Sequence, residues 1–326
     1  MKVSVIVAVY NASKYLEKCL DSLMEQSHRD IEILCVDDCS TDDSMAILKR
    51  YADIDDRIRI FKTEKNSGPA VARNIAIEHC NGDITAFLDS DDWLSADAIE
   101  KAVEVFINNP DTDSVLFKCI NVHQDGIQEK SNKDDFSVKT GKEAFVDSLT
   151  WKIHGIYAAR TSLYKRFPYD TTCRTLSDDN TTRIHYYFSK EVRTCDGIYY
   201  YRCNPTSICN CCDTSRINNM LANESMKRQL LELNVDDSII SMYENQRWLT
   251  LVDTYLFYYL NRKNFNNKEK DYCLKEMKRV WKGIETHRIP LRHKFKLGYY
   301  PLRYSWTLFM LQEEIYFMLK KLLKKI

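Results

Sequence analysis

Residues 84–93 read ITAFLDSDDW. Ile84–Leu88 is an apolar run of the kind that forms a strand buried on both faces. Directly behind it, Asp89, Asp91 and Asp92 place three carboxylates within four positions. Like charges this close repel, and none is easily buried without a partner. In an open α/β sheet, ligands bind beyond the carboxyl ends of the strands. At such a rim, solvent or a cation can hold the acids. Capping of a following helix by Ser90, Asp91 or Asp92 is the structural alternative.

The same pattern repeats outward from this stretch. Val3–Val9 is a continuous β-branched run, and Asn11-Ala12-Ser13 can cap a helix carrying Leu16, Leu20 and Leu23 at helical spacing. Ile31–Val36 is the next strand, closed by Asp37-Asp38, and Ser40–Asp43 can cap the helix Ser44–Tyr51. Ile58–Phe61 is a short strand, Pro69–Cys80 a helix with Pro69 near its first turn, and Ala96–Asn108 another helix. Strand and helix therefore alternate through residues 1–110, which predicts a doubly wound, mainly parallel, Rossmann-like α/β sheet. Beyond that the pattern is mixed. Val115–Val122 reads as a strand, Gln124–Asp135 as a polar loop, Thr140–Glu143 as a helix start, Thr181–Phe188 as a helix and Gly197–Arg202 as an aromatic strand. Ser215–Leu233, Ser238–Leu260 and Lys268–Thr286 read as helices. The expected organisation is a sheet domain over 1–210, with halves 1–110 and 111–210, and a helical region over 211–326.

Composition narrows the class. The chain has 326 residues, with 47 Lys+Arg against 47 Asp+Glu, so its net charge selects no nucleic acid. The 12 cysteines suggest reduced thiols in a cytoplasmic protein. The cluster Cys209, Cys211, Cys212 lacks the second ligand pair of a zinc site. The start, MKVSVIVAVYN, reads as a strand and not a leader, and no apolar run reaches the roughly 18 residues of a membrane span. The end, LQEEIYFMLKKLLKKI, places Ile315, Met318, Leu319, Leu322, Leu323 and Ile326 on one helical face and Lys320, Lys321, Lys324 and Lys325 on the other. Such a helix suits an anionic membrane surface, here the inner face of the plasma membrane; packing on protein or on a second copy is the alternative.

Four blocks, VSVIVAVYN, VDDCSTDDS, NSGPAVARNIAI and FLDSDDW, in this order and spacing, resemble the family 2 glycosyltransferases of the GT-A fold. The likeness is strong over residues 1–110 and continues more weakly to about 210. It implies an inverting transferase that moves a hexosyl or N-acetylhexosaminyl group from a nucleotide-sugar donor, a UDP-sugar, to a glycan or lipid-linked acceptor in bacterial surface-polysaccharide synthesis. Carried onto this chain, it implies that Ala8, Val9 and Tyr10 meet the base and ribose, that Asp38 with Asp37 binds the base, and that Asn66, Gly68 and Arg73 lie near the nucleotide. Asp89, Ser90 and Asp91 correspond to the DxD motif, with Asp89, Asp91 and Asp92 as the metal set and Mn²⁺ or Mg²⁺ as the cofactor. The acid pair expected downstream falls on Asp178 and Asp179, with Asp179 as the base. His154 and Trp93 fall on the acceptor side. Two other classes compete. A sugar nucleotidyltransferase would need a Gly-rich basic loop where this chain has AVYNASKYL. A non-catalytic nucleotide-sugar-binding scaffold would not need the acid at Asp179.

Overall fold

The computed structural model describes residues 1–131, 135–173, 177–204, 214–290 and 304–323. It falls into two compact units, Met1–Ser207 and Ile208–Ile326.

The first unit runs β1 (Val3–Val9), α1 (Leu16–Met24), β2 (Ile31–Asp37), α2 (Ser44–Ala52), β3 (Ile58–Lys62), α3 (Pro69–Glu78), β4 (Ile84–Phe87), β5 (Trp93–Leu94) and α4 (Ala98–Asn108). It continues through β6 (Thr112–Val122), β7 (Gln128–Lys130), β8 (Val138–Thr140), α5 (Gly141–Leu149), β9 (Tyr157–Arg160), α6 (Thr161–Arg166), α7 (Ser177–Phe188) and β10 (Glu191–Arg202). Among the described residues the sheet order is β3-β2-β1-β4-β9-β6-β10-β5, with β7 on β6 and β8 on β10. The strands from β3 to β4 are parallel, and so are β6 and β10. β9 is antiparallel to both its neighbours.

β1 shows why its sequence is a continuous apolar run. Val3, Val5, Val7 and Val9 pack on one face with Leu16 and Leu20 of α1. Ile6 packs on the other face with Ala72 and Ala76 of α3. Alternate side chains point to opposite faces, and helices cover both. Each such buried Val or Ile contributes about 1.5–3 kcal/mol. The chain winds from β1 to β2 and β3 on one side, then returns to β4 on the other. The winding thus reverses at β1/β4, and the crevice beyond their carboxyl ends is where such sheets bind ligands.

Several elements differ from the sequence reading. The expected loop 124–135 contains β7, which pairs antiparallel with β6. β10 begins at Glu191, six residues before Gly197, because Glu191–Arg193 is flanked by β6 on one side and β8 on the other. Its polar side chains hid the strand. α7 begins at Ser177, so Asp178 and Asp179 lie inside its first turn rather than ahead of it. Thr140 does open a helix, through a capping box with Glu143.

The second unit contains α8 (Asn218–Glu232), α9 (Asp237–Asn261), α10 (Asn267–Gly283) and α11 (Trp306–Leu322). Trp248, Tyr255, Trp281, Trp306, Phe309 and Phe317 dominate its core. α11 corrects the two-faced picture from the sequence. Its packed stripe is Trp306, Phe309, Glu313 and Phe317, while Ile315, Met318, Leu319, Leu322 and Leu323 are exposed. It is apolar on two opposite faces. No helix among the described residues is long and apolar enough to cross a membrane. The described cysteines are free thiols; Cys209, Cys211 and Cys212 lie outside the described residues, as do Lys324, Lys325 and Ile326.

Candidate active site

The turn after β4 is clamped by β10, more than 100 positions away in sequence. β5 pairs antiparallel with β10 through Trp93–Tyr200 and Leu94–Tyr199. The Tyr199 hydroxyl accepts from the Asp89 N–H at 3.2 Å and donates to Asp92 Oδ2 at 2.8 Å. The Arg202 N–H donates to Asp92 Oδ1 at 2.7 Å, and Arg202 Nε donates to the Asp91 carbonyl at 2.8 Å. Both Asp92 oxygens are thus engaged, and the residue is 1% exposed. Burial, then Asp89 and Asp91, push its carboxyl well above the usual range. This geometry gives Asp92 the role of a turn support. Asp91 is also raised, by burial first and Asp89 next, with Arg202 opposing.

Arg73, on α3, faces this cluster. Its side chain is 4% exposed. Nη2 donates to Asp89 Oδ1 at 2.6 Å, and Nη1 lies 3.6 Å from Asp178 Oδ2. The guanidinium also lies over the rings of Phe87 and Tyr169. Burial works to deprotonate it; Asp89, Tyr169 and Asp178 act the other way and prevail. One buried cation therefore joins the acid behind β4 to the acid in the first turn of α7. Asp178 in turn accepts from the Asp179 N–H at 3.0 Å. Asn74, next to Arg73, exchanges two 2.8 Å hydrogen bonds with the Tyr169 backbone, which ties α3 to the segment leading to α7.

The other acid pair is arranged differently. Asp38 is buried, and its carboxylate accepts from Thr63 Oγ1 at 2.8 Å, the Ser67 N–H at 2.9 Å and the Gly68 N–H at 2.7 Å. Asp37 accepts from the Ser40 N–H at 3.3 Å. Gly68 has φ 93°, a left-handed backbone that suits glycine, and leads into Pro69 at the start of α3. Asp38 thereby shapes the loop holding Asn66 and Gly68. Val9 is core, and its carbonyl accepts from the Asp38 N–H, so it can offer a ligand no side chain. Ala8, Asn66 and Ser90 are half-buried, and Tyr10 is exposed at the rim.

The two residues placed on the acceptor side are already engaged. Trp93 stacks on Tyr200 with centroids 5.2 Å apart and carries the Lys18 ammonium 3.4 Å from its own centroid. His154 is buried, with Nδ1 accepting from the Ile156 N–H. His185 is buried between Tyr157 and the Phe167 carbonyl, and burial pushes its pKa down to about 4. Tyr199 and Arg202 are the functional neighbours that sequence reasoning missed; the stretch GIYYYR read simply as core strand.

Among the described residues no group of three or more His, Cys, Asp or Glu is arranged to hold a metal ion. Asp89 and Asp91, two positions apart in the turn after β4, are carboxylates of the kind such an ion takes. Burial and then the neighbouring acids push the Asp91 and Asp92 carboxyls up, and Arg202 opposes the shift at Asp91. Mg²⁺ and Mn²⁺ commonly take one or two carboxylates and complete their shell with phosphate and water.

Residues 4–172 match the family model of glycosyl transferase family 2. The chain belongs to this family. The match includes every site residue above except those of α7 and β10. In sequence the chain is 50% identical over 102 residues to the putative teichuronic acid biosynthesis glycosyltransferase TuaG of Bacillus subtilis, covering 31% of this chain and 40% of that one. It therefore spans less than half of that relative. In structure it is similar to S. aureus TarS 1-349 in complex with UDP-GlcNAc, with TM-score 0.76 at 20% identity over 97% of this chain and 91% of that one. It is also similar to a mannosyltransferase from Pyrobaculum calidifontis in complex with GDP-Man and Mn²⁺, with TM-score 0.55 at 17% identity over 100% and 88%. At these identities the structures share the fold, the GT-A architecture.

Proposed function

We propose that the chain is an inverting glycosyltransferase that moves a sugar from a UDP-sugar to a glycan or lipid-linked acceptor of a cell-surface polymer. One observation carries this reading: buried Arg73 holds Asp89, behind β4, and Asp178, in α7, on either side of one guanidinium. Donor-side and acceptor-side acids then share a single site. TuaG by name and TarS by its bound UDP-GlcNAc support the polymer class and the uridine donor.

In this reading Asp178 stays paired with Arg73 and Asp179 takes the proton of the acceptor hydroxyl. The freed oxygen bonds to the anomeric carbon as the bond from that carbon to the diphosphate breaks, and configuration inverts. Asp89 and Asp91 would hold Mn²⁺ or Mg²⁺, which supplies positive charge to the departing diphosphate. Asp38 fixes the loop against which the base rests, with Tyr10 at the rim. Tyr199, Asp92 and Arg202 keep the 89–93 turn in place. His154 and Trp93 shape the acceptor side through packing.

The test is a panel of UDP-, GDP- and dTDP-sugars with Mn²⁺ or Mg²⁺, followed by thermal shift and nucleotide release with and without a polymer acceptor. One UDP-sugar should stabilise the wild type only with metal, and Asp91→Ala should lose that shift. Stabilisation by no nucleotide sugar under either metal would overturn the donor site.

A further inference from the structure

α11 is 17 residues long, about 25 Å, and carries two apolar stripes. Trp306, Phe309 and Phe317 fill the core of the helical unit. The opposite stripe, Leu308, Leu311, Ile315, Met318, Leu319 and Leu322, recurs at spacings of three and four and is 42–80% exposed at each position. A stripe that long on one helix exceeds the scattered exposed leucines of an ordinary surface.

The charges around it are one-sided. Both acids of the helix turn away from the stripe. Glu313 is buried in the packed face, and Glu314 is paired with Arg262 at 2.6 Å and with the Tyr255 hydroxyl at 3.1 Å. Lys321 is exposed, and Lys320 lies over the Tyr316 ring. In sequence, Lys324 and Lys325 follow the helix, and Arg292, Lys294, Lys296 and Arg303 precede it with no acid among residues 291–304. Basic residues therefore flank the helix at both ends. A second copy laid along the stripe, parallel or antiparallel, would set cation against cation. An anionic lipid surface complements both ends at once and accepts the apolar stripe below its headgroups.

We propose that the exposed stripe of α11 is a membrane-docking face that lies in the interface of an anionic bilayer. Docking there would hold the enzyme at the surface where lipid-linked acceptors reside. Vesicle binding requires no nucleotide sugar, so it stands or falls separately from the transferase reading.

The test is co-sedimentation of the full chain with vesicles of phosphatidylcholine alone and of phosphatidylcholine with one-third phosphatidylglycerol, at low and high salt. The wild type should bind the phosphatidylglycerol vesicles at least tenfold more tightly, and salt should weaken that binding. Ile315→Glu with Leu319→Glu should lose at least tenfold, and so should the milder pair Leu311→Ser with Leu322→Ser. Both pairs should leave the Tm and nucleotide release in free solution unchanged, because the positions are exposed and far in sequence from the acids. Lys321→Glu should weaken binding roughly fivefold or more, the contribution expected of one lysine at an anionic surface. Three results would overturn the proposal: no binding to anionic vesicles at low salt, undiminished binding by both pairs, or a wild-type dimer that the pairs convert to monomer without vesicle binding.

Discussion

Asp37-Asp38 closes β2 and Asp89–Asp92 follows β4, on either side of β1 in one parallel sheet. Residue type and topological position are alike, yet the two clusters are satisfied to different degrees. The Asp38 carboxylate has about four acceptor positions, and three are filled by Thr63, Ser67 and Gly68. Nothing in that arrangement calls for an ion. The second cluster has one buried arginine, reaching Asp89 but shared with Asp178, and burial with mutual repulsion raises Asp91 and Asp92. The first cluster is a clamp complete in the protein alone. The second carries carboxyls raised by burial and by one another, and under the proposed function a metal and diphosphate would complete it. Position at a strand end therefore does not by itself distinguish the two clusters; the partners of their carboxylates do.

The comparison can be sharpened most at the far side of Arg73. If Asp179 is the base, Asp179→Asn should cut turnover about 1,000-fold, or about 4 kcal/mol, while metal-dependent donor stabilisation persists. Single-turnover kinetics beside thermal shift would separate the two. Loss of donor binding in the variant would instead place Asp179 on the donor side.

The next effect falls on the filled cluster. Asp38→Ala leaves three donors, two of them backbone N–H groups, without their acceptor. It should cost about 3 kcal/mol of stability in urea unfolding with no metal or nucleotide present. A cost near zero would show that water fills the gap and that the clamp is not structural.

A third carboxylate separates electrostatic demand from site geometry. Glu313 lies in the aromatic core of the helical unit, and burial pushes its pKa up to about 8 from 4.5. Its folded-state pKa is raised, so the folded chain holds a proton that the unfolded chain releases. Stability therefore falls as pH climbs from 4.5 through 8. Glu313→Gln should change little near pH 5 and gain about 2 kcal/mol near pH 9, after the amide's own burial cost is set against the relief. Among the described residues, Gln312 donates to it and Lys320 offsets its charge. A raised carboxyl packed in a core titrates without by itself making a ligand site.

The sequence shows the first half of the fold more clearly than the second, for a physical reason. Parallel strands covered on both faces are largely apolar, so β1, β2 and β4 stand out as runs such as VSVIVAV. β10 alternates and carries Glu191, Arg193 and Thr194, and its pairing with both β6 and β8 is set by contacts remote in sequence. The acids of the candidate site were legible because acids behind a core strand need a reason. Their supports were not. Tyr199 and Arg202 reach Asp92 across separations of 107 and 110 residues, and no local pattern announces such a bond. The exposed stripe of α11 was visible at Ile315–Leu323, but the packed aromatic stripe was not, because the helix was read from its C-terminal half alone.

The smallest expected effect discriminates most sharply. Burial, then Asp89, raises the Asp91 pKa above its ordinary value of 3.8. The folded state thus binds the proton more tightly than the unfolded one. Stability is lost as pH rises above that ordinary value and through the raised one. Asp91→Asn removes that loss. The metal-free variant should melt slightly above wild type at about pH 7.5 and alongside it near pH 4. Adding Mn²⁺ with a UDP-sugar should reverse the order at about pH 7.5, because only the ionised carboxylate gains from the cation. Asp38→Ala should melt below wild type under every one of these conditions. If Asp91→Asn instead melts below wild type at about pH 7.5 without metal, its carboxylate is already satisfied within the protein. The cluster behind β4 would then be a second clamp, and its distinction from the one behind β2 would disappear.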